Sequence, residues 1–317
     1  MPAPPTHADV LEAAARIRPF AHRTPVLTCA TLDRLTGAQL FFKCENLQKV
    51  GAFKFRGACN AVMSLPPEAA AAGVATHSSG NHAAALALAA RLRGMAAYIV
   101  MPDNAPRVKR EAVAGYGGII RLCAPTLAAR EAALAQVVRE TGAAFVHPYN
   151  DPRVIAGQGT AALELLAEAP ALDTIVAPVG GGGLLSGTAL AAEGAASDAR
   201  IIGAEPAGAD DACRSLREGR IVPSVDPRTM ADGLLTSLGD LTFAVIRRRV
   251  ERIVTVSEPG IAAAMRLIWE RMKLVVEPSS AVALAALLEG DVDMAGRRVG
   301  IILSGGNVEL GKLPWRD

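Results

Sequence analysis

The strongest indication of the architecture is the segment Thr174-Ile-Val-Ala-Pro-Val-Gly-Gly-Gly-Gly-Leu-Leu-Ser-Gly187. A short β-branched run ends in four consecutive glycines, and an Ala- and Leu-rich stretch follows them. Glycines let the backbone turn its N–H groups toward a bound anion, and a following helix adds the positive end of its dipole. The segment therefore predicts a strand, a phosphate-binding loop and a helix. A tight strand-to-helix turn with close packing is the alternative.

The glycine run differs from the common nucleotide-binding loops. Leu185 and Ser186 stand where the dinucleotide fingerprint needs its third glycine, and no Gly-Lys-Ser/Thr follows as in a nucleoside triphosphate loop. A phosphate monoester fits this loop better than either ligand.

The same alternation of strand and helix extends through the chain on both sides. Strands are predicted at residues 40–44, 73–77, 97–101, 118–122, 144–147, 174–179, 200–205, 252–256 and 299–303. Helical patterns lie between them, for example at residues 83–93, 107–114, 127–141, 157–167 and 187–195. Such alternation predicts βαβ units and a mostly parallel sheet, hence an α/β fold.

Two more loops rich in glycine and serine follow predicted strands. They are Ser78-Ser-Gly-Asn-His82 and Ser304-Gly-Gly-Asn307. Ligands of parallel sheets gather at the carboxyl ends of strands, so we expect the three loops to meet in one crevice. A helix cap at 78–82 and an ordinary turn hydroxyl at Ser304 are the alternative interpretations.

Length and composition exclude several classes of function. The 317 residues are 51% hydrophobic and carry a net charge of +2, which suits a globular protein and gives no support for nucleic-acid binding. Apolar stretches are shorter than the ~20 residues of a membrane helix. The start, Met1-Pro-Ala-Pro-Pro, lacks the pattern of a signal peptide. We expect a soluble, cytoplasmic protein whose five scattered cysteines are reduced.

One lysine stands out by its surroundings. Lys54, one of six lysines, lies between two phenylalanines in Gly51-Ala-Phe-Lys-Phe-Arg-Gly-Ala58. An amine among apolar side chains loses solvation of its charged form, which lowers its pKa and favours a nucleophilic role. A lysine that reaches past Arg56 to solvent is the alternative.

Taken in this order, the motifs resemble those of the fold-type-II pyridoxal-phosphate (PLP) enzymes, specifically the serine/threonine dehydratases. The resemblance rests on residues 51–58, 78–82, 180–183 and 304–307 and covers roughly residues 24 to 309. It is greatest with the branch of serine racemases and L-threo-3-hydroxyaspartate dehydratases. It implies a tryptophan synthase β-like fold of two doubly wound domains with mostly parallel sheets. The large domain would comprise residues 1–48 and 148–317, and the small domain residues 49–147.

The resemblance implies PLP as the coenzyme and assigns residues to it. Lys54 would carry PLP as a Schiff base and, once freed, act as general base at the substrate Cα. Further contacts are implied from Phe53 to the ring, from Asn81 to the 3′-oxygen and from Ser304 to the pyridine nitrogen. The phosphate would be held by Gly180, Gly181, Gly182, Gly183 and Leu184.

The substrate residues implied by the resemblance are Ser78, Ser79, Asn81, His82, Arg130 and Thr236. Ser79 matches the position of the second acid/base group that racemisation requires on the opposite face of the Cα. Arg130 rests on the looser match Ala129-Arg-Glu131, and a surface helix charge is the alternative. Two departures from the serine racemase pattern are Ala83-Ala84, in place of Gly-Gln, and Thr236, in place of serine.

A cation site and a homodimer are also implied. Glu205, Asp211 and the backbone carbonyl of Ala209 match the divalent-cation site of this branch, and oxygen ligands suit Mg²⁺, with Ca²⁺ or Mn²⁺ as alternatives. An ordinary acidic loop is the competing interpretation.

The implied activity is that of an ammonia-lyase. It would convert a small L-β-hydroxy amino acid, such as serine, threonine or threo-3-hydroxyaspartate, to a 2-keto acid and ammonia. Serine racemase activity with side elimination is the first alternative, β-replacement as in cysteine synthases is the second, and a non-catalytic ligand-binding relative is the third. A nicotinamide-dependent oxidoreductase lacks its fingerprint here.

Overall fold

The strands form two separate sheets in the computed structural model, which describes residues 3–195, 197–290 and 294–315. The ten strands are β1 (Val26–Leu27), β2 (Gln39–Cys44), β3 (Val74–His77), β4 (Ala97–Pro102), β5 (Ile119–Cys123), β6 (Ala144–Phe145), β7 (Thr174–Pro178), β8 (Arg200–Pro206), β9 (Arg252–Val256) and β10 (Arg298–Leu303). The larger sheet has the order β1-β2-β10-β7-β8-β9 and the smaller one β5-β4-β3-β6. Only the β1–β2 pairing is antiparallel among the described strands.

Thirteen α-helices connect and cover these strands in the described parts of the chain. They are α1 (His7–Ile17), α2 (Ala30–Thr36), α3 (Lys54–Met63), α4 (Pro67–Ala71), α5 (Asn81–Arg93), α6 (Arg107–Gly115), α7 (Leu127–Thr141), α8 (Pro152–Glu168), α9 (Gly183–Gly194), α10 (Asp211–Glu218), α11 (Asp240–Arg249), α12 (Glu258–Leu267) and α13 (Pro278–Leu288). None of the helices in the described ranges is both long and apolar enough to cross a bilayer.

The predicted α/β class with two mostly parallel sheets is confirmed. All nine predicted strands are present, each end within two residues of its predicted position, while the two-residue β1 was not predicted. Three helices begin earlier than predicted, among them α8, which begins at Pro152 rather than at residue 157. Helix α9 begins at Gly183, because Gly182 adopts a left-handed conformation (φ 87°) and its carbonyl accepts the N–H of Ser186 at 2.9 Å. Helix α5 begins at Asn81.

Apolar side chains fill both faces of the large sheet. Helices α12 and α13 pack on one face, and α8, α9 and α11 on the other. A third core lies between α3, α5 and the small sheet. Helix α5 is buried along its length from 82 to 90, which explains why its apolar pattern is not one-sided.

The parallel register places several strand ends side by side. Leu303 of β10 pairs with Cys44 of β2, and Pro178 of β7 pairs with Ala204 of β8. The segments that follow these strands therefore emerge at one edge of the large sheet. They include the lysine motif, the glycine loop and the Ser304 loop.

Candidate active site

Lys54 is the first residue of α3, and backbone contacts fix its position. The N–H of Phe53 donates to the carbonyl of Ser304 at 3.0 Å, and Ala52 forms a β-bridge with Gly305. The Lys54 ammonium donates to the carbonyl of Pro148 at 3.0 Å and lies 5.1 Å from the centre of the Phe53 ring. Burial lowers the pKa of Lys54 to about 8, although the charge of Glu277 opposes this shift. The amine is therefore more easily deprotonated than an ordinary lysine.

A buried ion cluster holds the helix that carries Lys54. Arg56 is fully buried and donates to Glu45 at 2.7 and 2.8 Å and to Glu164 at 2.9 and 2.8 Å. Lys43, also fully buried, pairs with Glu164 at 2.6 Å. Two positive and two negative groups thus tie α3 to β2 and α8. Sequence reasoning missed this cluster, because the partners lie far apart in the chain.

The glycine loop is shaped by close neighbours and leaves its amides free. A Cβ at Gly181 would lie 2.3 Å from the ring of Tyr149, and one at Gly182 would lie 2.8 Å from Leu238. In the described chain, the N–H groups of residues 180–185 donate to no backbone or side-chain acceptor. The loop therefore offers a row of unpaired donors at the start of a helix, which is an arrangement suited to a phosphate.

Tyr149 is a second residue that sequence reasoning missed. It follows Pro148, whose carbonyl accepts from Lys54, and its ring packs on the glycine loop and edge-on to His147 at 4.5 Å between centres. Burial raises the pKa of its phenol, and a hydrogen bond from the Thr236 side chain opposes the shift. The exposed Thr236 side chain is thereby placed next to the glycine loop.

The loop after β3 reaches the same place from the small sheet. Asn81 donates through Nδ2 to the two oxygens of Glu277 at 3.0 and 3.2 Å, and its Oδ1 accepts from Asn307 at 2.9 Å. Ser78 accepts the N–H of Gly80 at 3.3 Å through its Oγ. Two of the three predicted loops are therefore in direct contact. The third, the glycine loop, is connected to them through Tyr149, Pro148 and Lys54.

Histidines surround this loop as uncharged side chains. His82 is buried, and burial together with the charge of Lys54 lowers its pKa to about 3. Its Nε2 lies 3.3 Å from the carbonyl of Val146, while its Nδ1 has no partner among the described residues. Burial likewise lowers the pKa of His147, to about 4. These rings can therefore act as polar groups but not as cations at neutral pH.

Arg130 lies on α7 beside the small sheet. Burial lowers the pKa of His77, and the charge of Arg130 lowers it further. The Nε of Arg130 is buried without a hydrogen-bond partner in the described part of the chain. No hydrogen bond in the described ranges joins it to the Ser78–Asn81 loop. It sits near the site rather than in the contact network.

Ser304 follows β10 directly and is 3% exposed. Its backbone carbonyl accepts the N–H of Phe53, which places Ser304 beside the residue that precedes Lys54. A neutral hydroxyl, rather than a carboxylate, is thus the group that this strand end presents.

Comparison with known proteins agrees with this geometry. Residues 17–305 match the family of pyridoxal-phosphate dependent enzymes. The chain belongs to this family. A β-hydroxyaspartate dehydratase of Paracoccus denitrificans is 54% identical over 311 residues, covering 98% of this chain and 99% of the relative. A serine racemase of Arabidopsis thaliana is 52% identical, covering 96% and 95%.

A comparison with solved structures shows that the chain also shares the fold of this PLP-dependent family. The crystal structure of serine racemase from Dictyostelium discoideum superposes with a TM-score of 0.93 at 48% identity, covering 96% of this chain and 99% of that one. The predicted family and the branch of hydroxyaspartate dehydratases and serine racemases are therefore confirmed.

The predicted cation residues lie together at the end of β8. Glu205, Ala209 and Asp211 are 1%, 4% and 2% exposed. Glu205 accepts the N–H groups of Ala212 at 3.2 Å and Cys213 at 2.6 Å, while Asp211 Oδ2 has no partner among the described residues. Burial raises the pKa of Glu205 to about 8 and that of Asp211 to about 6. No cluster of three or more His, Cys, Asp or Glu side chains suited to a metal occurs in the described ranges.

Proposed function

We propose that the protein is a PLP-dependent ammonia-lyase that converts a small L-β-hydroxy amino acid to a 2-keto acid and ammonia. Serine, threonine and threo-3-hydroxyaspartate form the substrate class. The observation that carries the proposal is the desolvated amine of Lys54, connected through Pro148 and Tyr149 to a glycine loop with free amides. The 54% identity with a β-hydroxyaspartate dehydratase supports the choice of reaction.

The residues present fit the coenzyme. The unpaired N–H groups of residues 180–185 suit its phosphate, and the packing of Tyr149 on Gly181 leaves no space for a side chain there. Phe53 lies beside the Lys54 ammonium and would contact the ring, and Asn81, which hydrogen-bonds Glu277 and Asn307, would contact the 3′-oxygen. When bound, PLP supplies the electron sink that makes the substrate Cα–H bond acidic.

Lys54 would be both the attachment point and the proton acceptor at the substrate Cα. With its pKa lowered to about 8, about a tenth of the amine is uncharged at pH 7, far more than for an ordinary lysine. A general base is most effective when its pKa lies near the working pH. The hydrogen bond to the Pro148 carbonyl fixes the position of the amine.

Ser304 would favour elimination over transamination. A neutral hydroxyl next to the coenzyme nitrogen does not force that nitrogen to be protonated, as an aspartate would. Ser304 would therefore leave the coenzyme a weaker electron sink, which would favour loss of the substrate's β-hydroxyl. The burial of Ser304 beside the Lys54 backbone supports this placement.

The substrate carboxylate would be bound by the loop that begins α5. Ser78, Ser79 and Asn81 lie at the N-terminus of this helix, where free N–H groups and the helix dipole attract an anion. His82 is the next residue and stays uncharged. Arg130 and Thr236 would complete the substrate site from α7 and from the segment beside Tyr149.

Racemisation of serine is the second candidate activity. It is favoured by the 52% identity with the Arabidopsis thaliana serine racemase and by Ser79, a candidate for the second acid/base group. Chiral analysis of recovered serine separates the two activities, because pure elimination leaves the remaining substrate in its L form.

We also propose a divalent cation at Glu205, Ala209 and Asp211. The unpartnered Oδ2 of Asp211 and the buried carboxylate of Glu205 suit Mg²⁺, with Ca²⁺ or Mn²⁺ as alternatives, and water would complete the coordination. Since an ion that binds only the folded state stabilises it, EDTA should lower the melting temperature, and Mg²⁺ should restore it. A melting temperature that does not respond to either addition contradicts the site.

The remaining proposals concern organisation. The small sheet lies within residues 74–145 and the large sheet within 26–44 and 174–303, which supports a small domain of residues 49–147 and a large domain of 1–48 and 148–317. A homodimer rests on the family resemblance, and a cytoplasmic location stays a prediction from the sequence. Sedimentation analysis tests the dimer.

A keto-acid release assay tests the main proposal. Purified protein supplied with PLP is given each member of the substrate panel, with and without Mg²⁺, and Lys54→Ala is the matched control. We expect ammonia and keto acid in equal amounts from at least one substrate, and none from Lys54→Ala. Failure of the wild type to form a borohydride-stable adduct at Lys54 would contradict the proposal.

A further inference from the structure

Glu277 is a buried carboxylate that its own helix does not use. It precedes Pro278 at the N-terminus of α13, but its side chain makes no capping hydrogen bond there. Its N–H donates to the carbonyl of Gly305 at 3.0 Å, and a Cβ at Gly305 would lie 2.5 Å from its Oε1. Only 5% of Glu277 is exposed. The carboxylate is thus directed into the site rather than along α13.

Two side-chain amides, those of Asn307 and Asn81, are hydrogen-bonded in series, and the series ends at this carboxylate. Asn307 donates through Nδ2 to the carbonyl of Val50 at 2.7 Å and to Asn81 Oδ1 at 2.9 Å. Asn81 in turn donates through Nδ2 to both oxygens of Glu277. The Asn81 amide therefore has an acceptor for its Nδ2 and a donor for its Oδ1.

The ionised carboxylate determines which way the Asn81 amide faces. If that amide were turned over, its Oδ1 would face two acceptor oxygens of Glu277, and its Nδ2 would face a donor on Asn307. Both hydrogen bonds would be lost, and the buried carboxylate of Glu277 would lose its side-chain donor, which is costly. An amide at position 277 would not enforce the orientation, because it offers both a donor and an acceptor.

The positive charges near this carboxylate lie beyond ion-pair distance. Among the described residues Glu277 forms no ion pair, while Lys109 and Asp232 pair with each other at 2.6 Å nearby. Burial raises the pKa of Glu277 to about 7, and the negative charge of Asp232 adds to this shift. The hydrogen bond from Asn81 and the charge of Lys109 oppose it. The charge of Lys54 also faces this carboxylate. An isosteric amide would thus be easier to bury than this acid.

We infer that Glu277 is a positioning residue of the proposed lyase: its two acceptor oxygens fix the Asn81 amide so that an N–H, and not the carbonyl, faces an oxygen of the bound coenzyme. The inference rests on the proposed function, since it gives Asn81 its coenzyme contact. Glu277 itself acts through Asn81.

The test is a double-mutant cycle on coenzyme affinity. The dissociation constant of PLP and its visible absorption spectrum are measured for the wild type, Glu277→Gln, Asn81→Ala and the double variant. We expect Glu277→Gln to weaken PLP binding at least tenfold. In the Asn81→Ala background the same substitution should have no further effect, because the residue through which it acts is gone. Equal effects in both backgrounds, or an unchanged dissociation constant, would overturn the inference.

A pH series on the wild type provides a measurement without mutation. As the pH falls through about 7, Glu277 gains a proton, one of its oxygens becomes a donor, and PLP binding should weaken. Lys54 titrates higher, near 8, and contributes a separate change to both proteins. The step near 7 should be missing in Glu277→Gln. If the wild type shows no such step, the inference is wrong even where the variant fails to fold.

Controls separate this inference from the proposed function. Asp173→Asn likewise converts a hydrogen-bonded carboxylate to an amide, but at the opposite edge of the large sheet, where Asp173 accepts the N–H of Arg298 at 2.8 Å. It should bind PLP as the wild type does. If the wild type itself forms no adduct with PLP, the proposed function fails. If the wild type binds PLP and Glu277→Gln matches it, only the role of Glu277 fails.

Discussion

Replacing Lys54 with methionine should make the coenzyme-free protein more stable while abolishing turnover. Burial lowers the pKa of Lys54 from 10.5 to about 8, so the folded state holds its ammonium less well than the unfolded chain does. At about 1.4 kcal/mol for each pH unit, this difference corresponds to about 3 kcal/mol of destabilisation below pH 8. Water near the partly exposed side chain, and the loss of a positive neighbour for Glu277, reduce the gain to about 1–3 kcal/mol.

The pH dependence gives the decisive signature. Below pH 8 the lysine is protonated in both states, and the full penalty is present. Between pH 8 and 10.5 the unfolded chain binds more protons than the folded protein, so wild-type stability rises with pH relative to Lys54→Met. The advantage of the variant should therefore shrink as the pH rises from 8 toward 9.5.

Urea unfolding of the coenzyme-free proteins, followed by circular dichroism at pH values between 6.5 and 9.5, measures this difference. Lys312→Met is the matched control, because the Lys312 side chain is 78% exposed and pairs with Glu309 on the surface. It should change stability little at any pH. A Lys54→Met variant that is less stable than the wild type at pH 7, or whose difference from it does not vary with pH, would refute the argument.

Three further substitutions test other parts of the site. Ser304→Asp should shift products from keto acid toward coenzyme that has been converted to its amine form, and unchanged product ratios would contradict the role of the neutral hydroxyl. Gly181→Ala should weaken PLP binding and cost about 1–3 kcal/mol of stability, because its methyl group would overlap the ring of Tyr149; wild-type affinity would show that the ring moves freely. Arg56→Met should lower the free energy of unfolding by about 3–5 kcal/mol, because Glu45 would be left buried without its partner; a loss below 1 kcal/mol in urea unfolding would count against this.

Sequence patterns predicted the parts of the protein that depend on neighbours in the chain. The strands were visible as short β-branched runs, and the motifs around Lys54, Gly180–Gly183 and Ser304 carry their signals within a few residues. Glu277 and Tyr149 could not be found in this way. Glu277 looks like a capping residue before a proline, and only the fold brings it to Asn81, 196 positions away. The direction of a hydrogen-bond chain is a tertiary property.

The buried ions around Arg56 have a consequence for how the protein opens. Helix α3 cannot separate from β2 or α8 without exposing or unpairing four charges at once, so partial fraying of its first turn is strongly disfavoured. We expect the amide hydrogens of α3 to exchange with solvent only when the whole molecule unfolds, whereas those of surface helices such as α6 exchange through local opening. The reactive lysine would then sit on one of the least mobile pieces of backbone, and recognition of different substrates would have to come from movement elsewhere.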